Sequence, residues 1–103
     1  MKFTVIISTY PTKKSISKIA TELVKAKIAA CVNFSKISSI YSWDGKIEKN
    51  SEYIAIFKTT LKKKNLLKKK IKENHPYDVP EIAEISTISI NKPYLNWLIN
   101  STN

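Results

Sequence analysis

Two side chains in this sequence are suited to hold a soft metal ion, and each occurs once: Cys31 and His75. Thiolate and imidazole both suit copper. Two donors are few for a closed site, so a metal held by them would draw on more than one chain. A single histidine excludes a two-histidine motif within one chain, and a single cysteine excludes an internal disulfide. Each residue also has a plainer reading. Cys31 stands among small and apolar residues and reads as an inert core thiol. His75 ends a helical stretch before Pro76, where an imidazole can satisfy the last carbonyls and oppose the helix dipole. Its ordinary pKa near 6.5 would make any binding pH-dependent. Asp78 and Glu81 flank Val79-Pro80 and could offer oxygens to a hard cation, but six are usually wanted. A turn cap for Asp78 and a lysine partner for Glu81 are the simpler roles. Many serines and one histidine make a triad conceivable, yet no G-x-S-x-G elbow exists. The lone glycine, Gly45, excludes a glycine-rich phosphate loop. This set of residues does not read as that of an enzyme.

Charge and aromatic content point to surfaces. The 103 residues carry 18 cations against 8 acids, a net of +10, and every cation is lysine. Lysine gives a point charge and not the planar fork that grips phosphate or guanine, so sequence-specific nucleic-acid reading is not expected. Seven of the lysines fall in residues 62–72 without an acid among them. That run reads as a solvated helix face, with weak adsorption to nucleic acid or acidic lipid as the functional alternative. Tyr41, Trp43, Tyr77, Tyr94 and Trp97 read as core or subunit interface.

The elements that must position these residues follow from periodicity. Lys2 to Thr9 reads as an interior strand, ended by Pro11. Ile16, Ile19, Ala20 and Leu23 predict an amphipathic helix over about 14–27. From Ala30 to Trp43 the pattern is β-like, and its apolar phase changes between Phe34 and Ile37, which predicts a bulge. Asp44-Gly45 is a hairpin turn, and the chain returns as a strand over 46–60. A second helix is predicted over 62–74 with Leu66, Leu67 and Ile71 inward, bounded by Pro76. A strand over 82–90 and a short helix opened by Pro93 complete the chain.

The order β-α-β-β-α-β plus a terminal helix is the ferredoxin-like plan of the α+β class, in one domain spanning 1–103. It covers one sheet face with helices and leaves the other without intrachain cover. Straight strands of the predicted hairpin length would reach about 45 Å, beyond the roughly 35 Å of a domain this size. Either the hairpin bends at the bulge or its tip, with Tyr41, Trp43 and Ile47, packs on another subunit. An oligomer is therefore expected. An RNA-recognition module shares the element order, but Tyr53, Ala55 and Phe57 with no glycine do not build its stacking strand. No apolar run approaches the length of a membrane span, and the start carries no leader pattern, so a reducing, cytoplasmic setting is expected.

Several blocks follow one another in order: Ala29-Ala30-Cys31-Val32-Asn33, Trp43-Asp44-Gly45-Lys46-Ile47-Glu48, Lys58-Thr59, His75-Pro76-Tyr77-Asp78-Val79-Pro80-Glu81-Ile82 and Tyr94-Leu95-Asn96-Trp97. Together they resemble the CutA divalent-cation tolerance family across essentially the whole chain. The resemblance implies a ferredoxin-like homotrimer, assembled as in PII signalling proteins, with the long hairpins packed between subunits. It implies binding of copper or another divalent cation, with Cys31 and His75 as metal candidates and no assigned reaction. Trp43, Lys58, Tyr77, Glu81 and Trp97 would neighbour an intersubunit cleft, with a Lys58–Glu81 pair as its polar anchor. One departure is Ser42, where an aromatic is common in the family. The alternative function is a PII-like regulatory trimer whose cleft binds a small anionic ligand near Lys58, His75 and Glu81.

Overall fold

A computed structural model describes residues 3–103. Seven elements follow in order: β1 Phe3–Tyr10, α1 Lys13–Lys25, β2 Cys31–Trp43, β3 Lys46–Thr60, α2 Lys64–Glu73, β4 Ala83–Ser86 and α3 Lys92–Ser101. The strands form one antiparallel sheet in the order β2-β3-β1-β4. This is the ferredoxin-like plan expected from the sequence. Lys2, predicted to begin the first strand, lies outside the described residues.

Local chemistry sets the helix ends. The Thr12 hydroxyl accepts from the Ser15 backbone N–H at 3.1 Å, and the Ser15 hydroxyl faces the Thr12 N–H in return. This reciprocal cap starts α1 at Lys13. At the other end the Lys27 backbone turns left-handed (φ 60°), and Ile28 N–H donates to the Leu23 carbonyl at 3.0 Å. Glycine usually takes that position. With lysine there the stop is hidden in the sequence, which is why the helix ends at Lys25 and not at the expected Lys27.

The predicted bulge is absent. β2 and β3 pair without interruption from Cys31↔Lys58 to Trp43↔Lys46. The phase change has another cause: Val32 packs beneath the helices, whereas Ile37, Tyr41 and Trp43 project from the opposite face. Beyond Phe34 apolar side chains stand on both faces, Ile40 still on that of Val32, while the backbone stays regular. The unbent hairpin makes the subunit elongated, 45 × 27 × 21 Å. Asp44 (φ 52°) and Gly45 (φ 76°) close it, as the type I′ geometry of a two-residue turn demands.

The core lies between α1, α2 and one sheet face. Ile6, Tyr10, Ala55 and Phe57 from the strands meet Ile16, Ile19, Leu23, Leu67 and Ile71 from the helices. Leu66 is not inward as expected. It stands one position from Leu67, about 100° round the helix, and is 40% exposed. The opposite sheet face is not wholly bare. Leu98 of α3, flanked by Tyr94 and Leu95, packs on Phe3 and Val5 and covers its root. β4 is shorter than predicted: it pairs with β1 only from Ala83↔Ile7 to Ser86↔Thr4, and Ile88 beyond it is almost fully exposed.

Candidate functional site

The sheet separates the two metal candidates. Cys31 begins β2, pairs with Lys58 in the ladder and lies on the face that α3 partly covers. Its thiol is half-buried and lies 3.6 Å from the Asn33 side-chain oxygen. His75 belongs to the other face, packed on Ser8 and Tyr10. Within one chain the structure does not bring Cys31 and His75 together. Among the described residues no group of three histidine, cysteine or carboxylate side chains is placed to hold a metal.

Both nitrogens of His75 are occupied. Tyr77 N–H donates to Nδ1 at 3.1 Å, so the ring proton sits on Nε2. Nε2 faces the Ser8 hydroxyl at 3.0 Å and lies by the Thr9 carbonyl. The imidazole stacks on Tyr10 with centroids 4.2 Å apart. Burial pushes its pKa below the ordinary value, the Thr9 carbonyl opposing this in part. The expected cap of the α2 carbonyls falls instead to Asn74, whose side chain donates to the Lys70 carbonyl at 2.9 Å. Ser8 and His75 do not make a nucleophile–base pair. Ser8 is fully buried, and the imidazole presents a proton to it and not a lone pair.

Tyr77 continues the strap. Its hydroxyl donates to Glu52 of β3 at 3.1 Å. Burial and the Glu52 carboxylate push the phenol up to about 12. The His75-Pro76-Tyr77 segment thus ties the end of α2 to both β1 and the hairpin. Tyr10, buried beneath it, is also pushed up to about 12, chiefly by burial.

The remaining candidates are dispersed. The Lys58 ammonium lies 5.8 Å from the centre of the Tyr94 ring, and Tyr94 in turn packs on Trp97. The expected Lys58–Glu81 pair does not form. Glu81 is exposed in the connector before β4, and Lys58 has no carboxylate within ion-pair distance among the described residues. Trp43 stands 53% exposed beside the hairpin turn. Three participants were not foreseen: Ser8, Tyr10 and Glu52. A serine inside an apolar strand was the available signal, because a buried hydroxyl needs a partner.

A cavity of about 330 Å³ opens between the start of α1 and the end of α2, lined by Lys18, Glu22, Glu73, Asn74 and His75 among others. It carries charges of both signs and lies on the helical side, away from Cys31.

The family described as CutA1 divalent ion tolerance protein matches residues 4–101. The divalent-cation tolerance protein CutA of Pyrococcus horikoshii is 41% identical over 95% of this chain and 96% of its own length. The crystal structure of CutA1 from that organism superposes with a TM-score of 0.93, covering 97% of this chain and 98% of the other. The chloroplastic protein CutA of Arabidopsis thaliana is 38% identical over 95% of this chain and 54% of its own length. The periplasmic divalent cation tolerance protein CutA of Archaeoglobus fulgidus superposes with a TM-score of 0.93 at 33% identity, covering 98% of this chain and 99% of the other.

Proposed function

This chain belongs to the CutA1 divalent ion tolerance family, and from that premise we propose that it acts in tolerance of divalent metal ions as a homotrimer binding copper or a related cation. The observation that carries this reading is the unfinished state of the single subunit. Ile40 and Ile47 on one face of the unsupported hairpin, and Tyr41 and Trp43 on the other, are exposed, and large apolar side chains on both faces favour burial against other copies. One subunit alone does not fit a metal, since its two soft donors lie on opposite faces of the sheet. Assembly is the means by which donors of several chains meet. Of the two candidates, Cys31 is the freer donor, because His75 would first have to release Tyr77 or Ser8. The free thiol favours a reducing compartment, and we assign the chain to the cytoplasm, although relatives are named for the chloroplast and the periplasm. No helix among the described residues is long and apolar enough to cross a membrane.

The test combines sedimentation with copper titration. The parent is expected to sediment as a trimer and to bind copper, Cys31→Ser to lose most of that binding, and His75→Ala to lose less. A monomer at micromolar concentration, or unchanged binding in both variants, overturns the reading. One observation favours a second reading, a PII-like trimer binding a small anion: the Lys58 ammonium stands beside Tyr94 without a carboxylate partner among the described residues. That reading expects an anionic metabolite to raise the melting temperature by binding the folded state, and the rise to vanish in Lys58→Gln.

A further inference from the structure

The net charge of the molecule is confined to one side. Twelve of the eighteen lysines but only two of the eight acids lie in residues 13–27 and 62–73, which comprise α1, α2 and the turns beside them. The remaining residues are balanced, six lysines against six acids. Both helices cover the same sheet face, so the entire net charge of +10 sits on the helical layer.

Its lysines are arranged as two outward stripes. On α1 the core-facing residues are Ile16, Ile19, Ala20 and Leu23, and Lys14, Lys18 and Lys25 stand on the opposite side at helical spacing. On α2 the core-facing residues are Leu67 and Ile71, Lys69 and Lys72 stand outward, and Lys62 is exposed in the turn just before the helix. All six are exposed and lack an ion pair among the described residues. The acids near α2 are already engaged elsewhere, Glu84 by Lys64 and Lys68, and Glu73 by Lys70. Two large apolar side chains stand exposed beside the α2 lysines, Leu66 at 40% within the helix and Leu61 at 45% in the turn that precedes it.

We infer that the outer face of α1 and α2 docks on an anionic lipid surface. A layer of free lysines is attracted to acidic headgroups, and apolar side chains set among them enter the headgroup boundary. Nucleic acid fits less well. The layer has no arginine to grip phosphate or base edges, and none of the ten aromatic residues of the chain lies in it to stack a base. The inference is independent of metal binding, since it uses neither Cys31 nor His75.

The experiment is flotation of the full chain with vesicles of phosphatidylcholine alone or mixed with phosphatidylglycerol. Binding is expected only to the mixed vesicles and to weaken at least about tenfold between about 50 and about 300 mM salt. A variant carrying Lys14→Gln, Lys18→Gln, Lys62→Gln and Lys69→Gln should lose it. A variant with Lys36→Gln, Lys46→Gln, Lys49→Gln and Lys92→Gln removes the same charge from outside the layer and should keep most of it. Leu66→Ser, at an exposed position, should weaken vesicle binding several-fold. Circular dichroism and sedimentation confirm that each variant keeps the parent's fold and mass. Equal losses in the two lysine variants, no dependence on phosphatidylglycerol, or unchanged binding in Leu66→Ser overturns the inference. So does tighter binding to single-stranded RNA than to the mixed vesicles.

Discussion

The two faces of the sheet differ in how far one chain completes them. On the helical face, Ile6, Tyr10, Ala55 and Phe57 are sealed at 0% exposure, and His75 has a partner for each ring nitrogen. On the other face α3 reaches only the root, Lys58 has no carboxylate partner among the described residues, and Tyr41 and Trp43 stand exposed along the distal hairpin. The closed face holds the core on which the domain folds; the open face carries exposed apolar surface that the proposed assembly would bury. The two metal candidates follow the same division. His75 serves the closed face as a structural group, and Cys31 stands on the open one.

The sharpest way to break this comparison is to truncate one aromatic on each face. Phe57→Ala removes a fully buried ring and should cost about 3–5 kcal/mol. Trp43→Ala should leave the stability of an isolated subunit nearly unchanged while weakening association. Urea unfolding, run with sedimentation at several protein concentrations, separates the two effects. If Trp43→Ala destabilises at all concentrations as Phe57→Ala does, the open face is not an association surface.

A smaller contrast tests the two ends of α1, and with it what the sequence made legible. The element order, the core-facing residues of α1 and the Asp44-Gly45 turn could all be read, because periodicity and turn chemistry are local; on α2 Leu67 and Ile71 could be read, but Leu66 is exposed. The bulge was misread because a change of apolar face and a slip of the backbone leave the same mark in a sequence. The two metal candidates could be named but not placed, since the side of a sheet on which a connector residue packs is set by tertiary contacts. The helix ends show both outcomes within thirteen residues. Thr12 and Ser15 form a reciprocal cap of a readable kind, and Thr12→Ala should cost about 1 kcal/mol. Lys27 hides its stop by holding a left-handed backbone with a side chain. Lys27→Gly should relieve that strain and add up to about 1 kcal/mol. Thermal unfolding of both variants should therefore move the midpoint in opposite directions. A loss of stability in Lys27→Gly would mean that its side chain contributes more than its backbone costs.

The smallest expected effect concerns the closed face again, through acid. Burial lowers the pKa of His75 in the folded chain below its ordinary value near 6.5. In the window between the two values the unfolded chain binds the extra proton and the folded chain does not, so stability falls as pH falls. The contribution is complete above about 6.5 and is lost as pH drops through the lowered folded value. Protonation would also place an N–H at Nδ1 against the Tyr77 N–H, breaking the strap that reaches Glu52. Because the imidazole is only partly buried, solvent screening keeps the effect modest. Urea midpoints between about pH 5 and about pH 8 should decline on the acid side in the parent and more weakly in His75→Gln. Equal slopes in the two proteins would show that the imidazole does not titrate against the fold, and that the closed face tolerates a charge where its geometry leaves none.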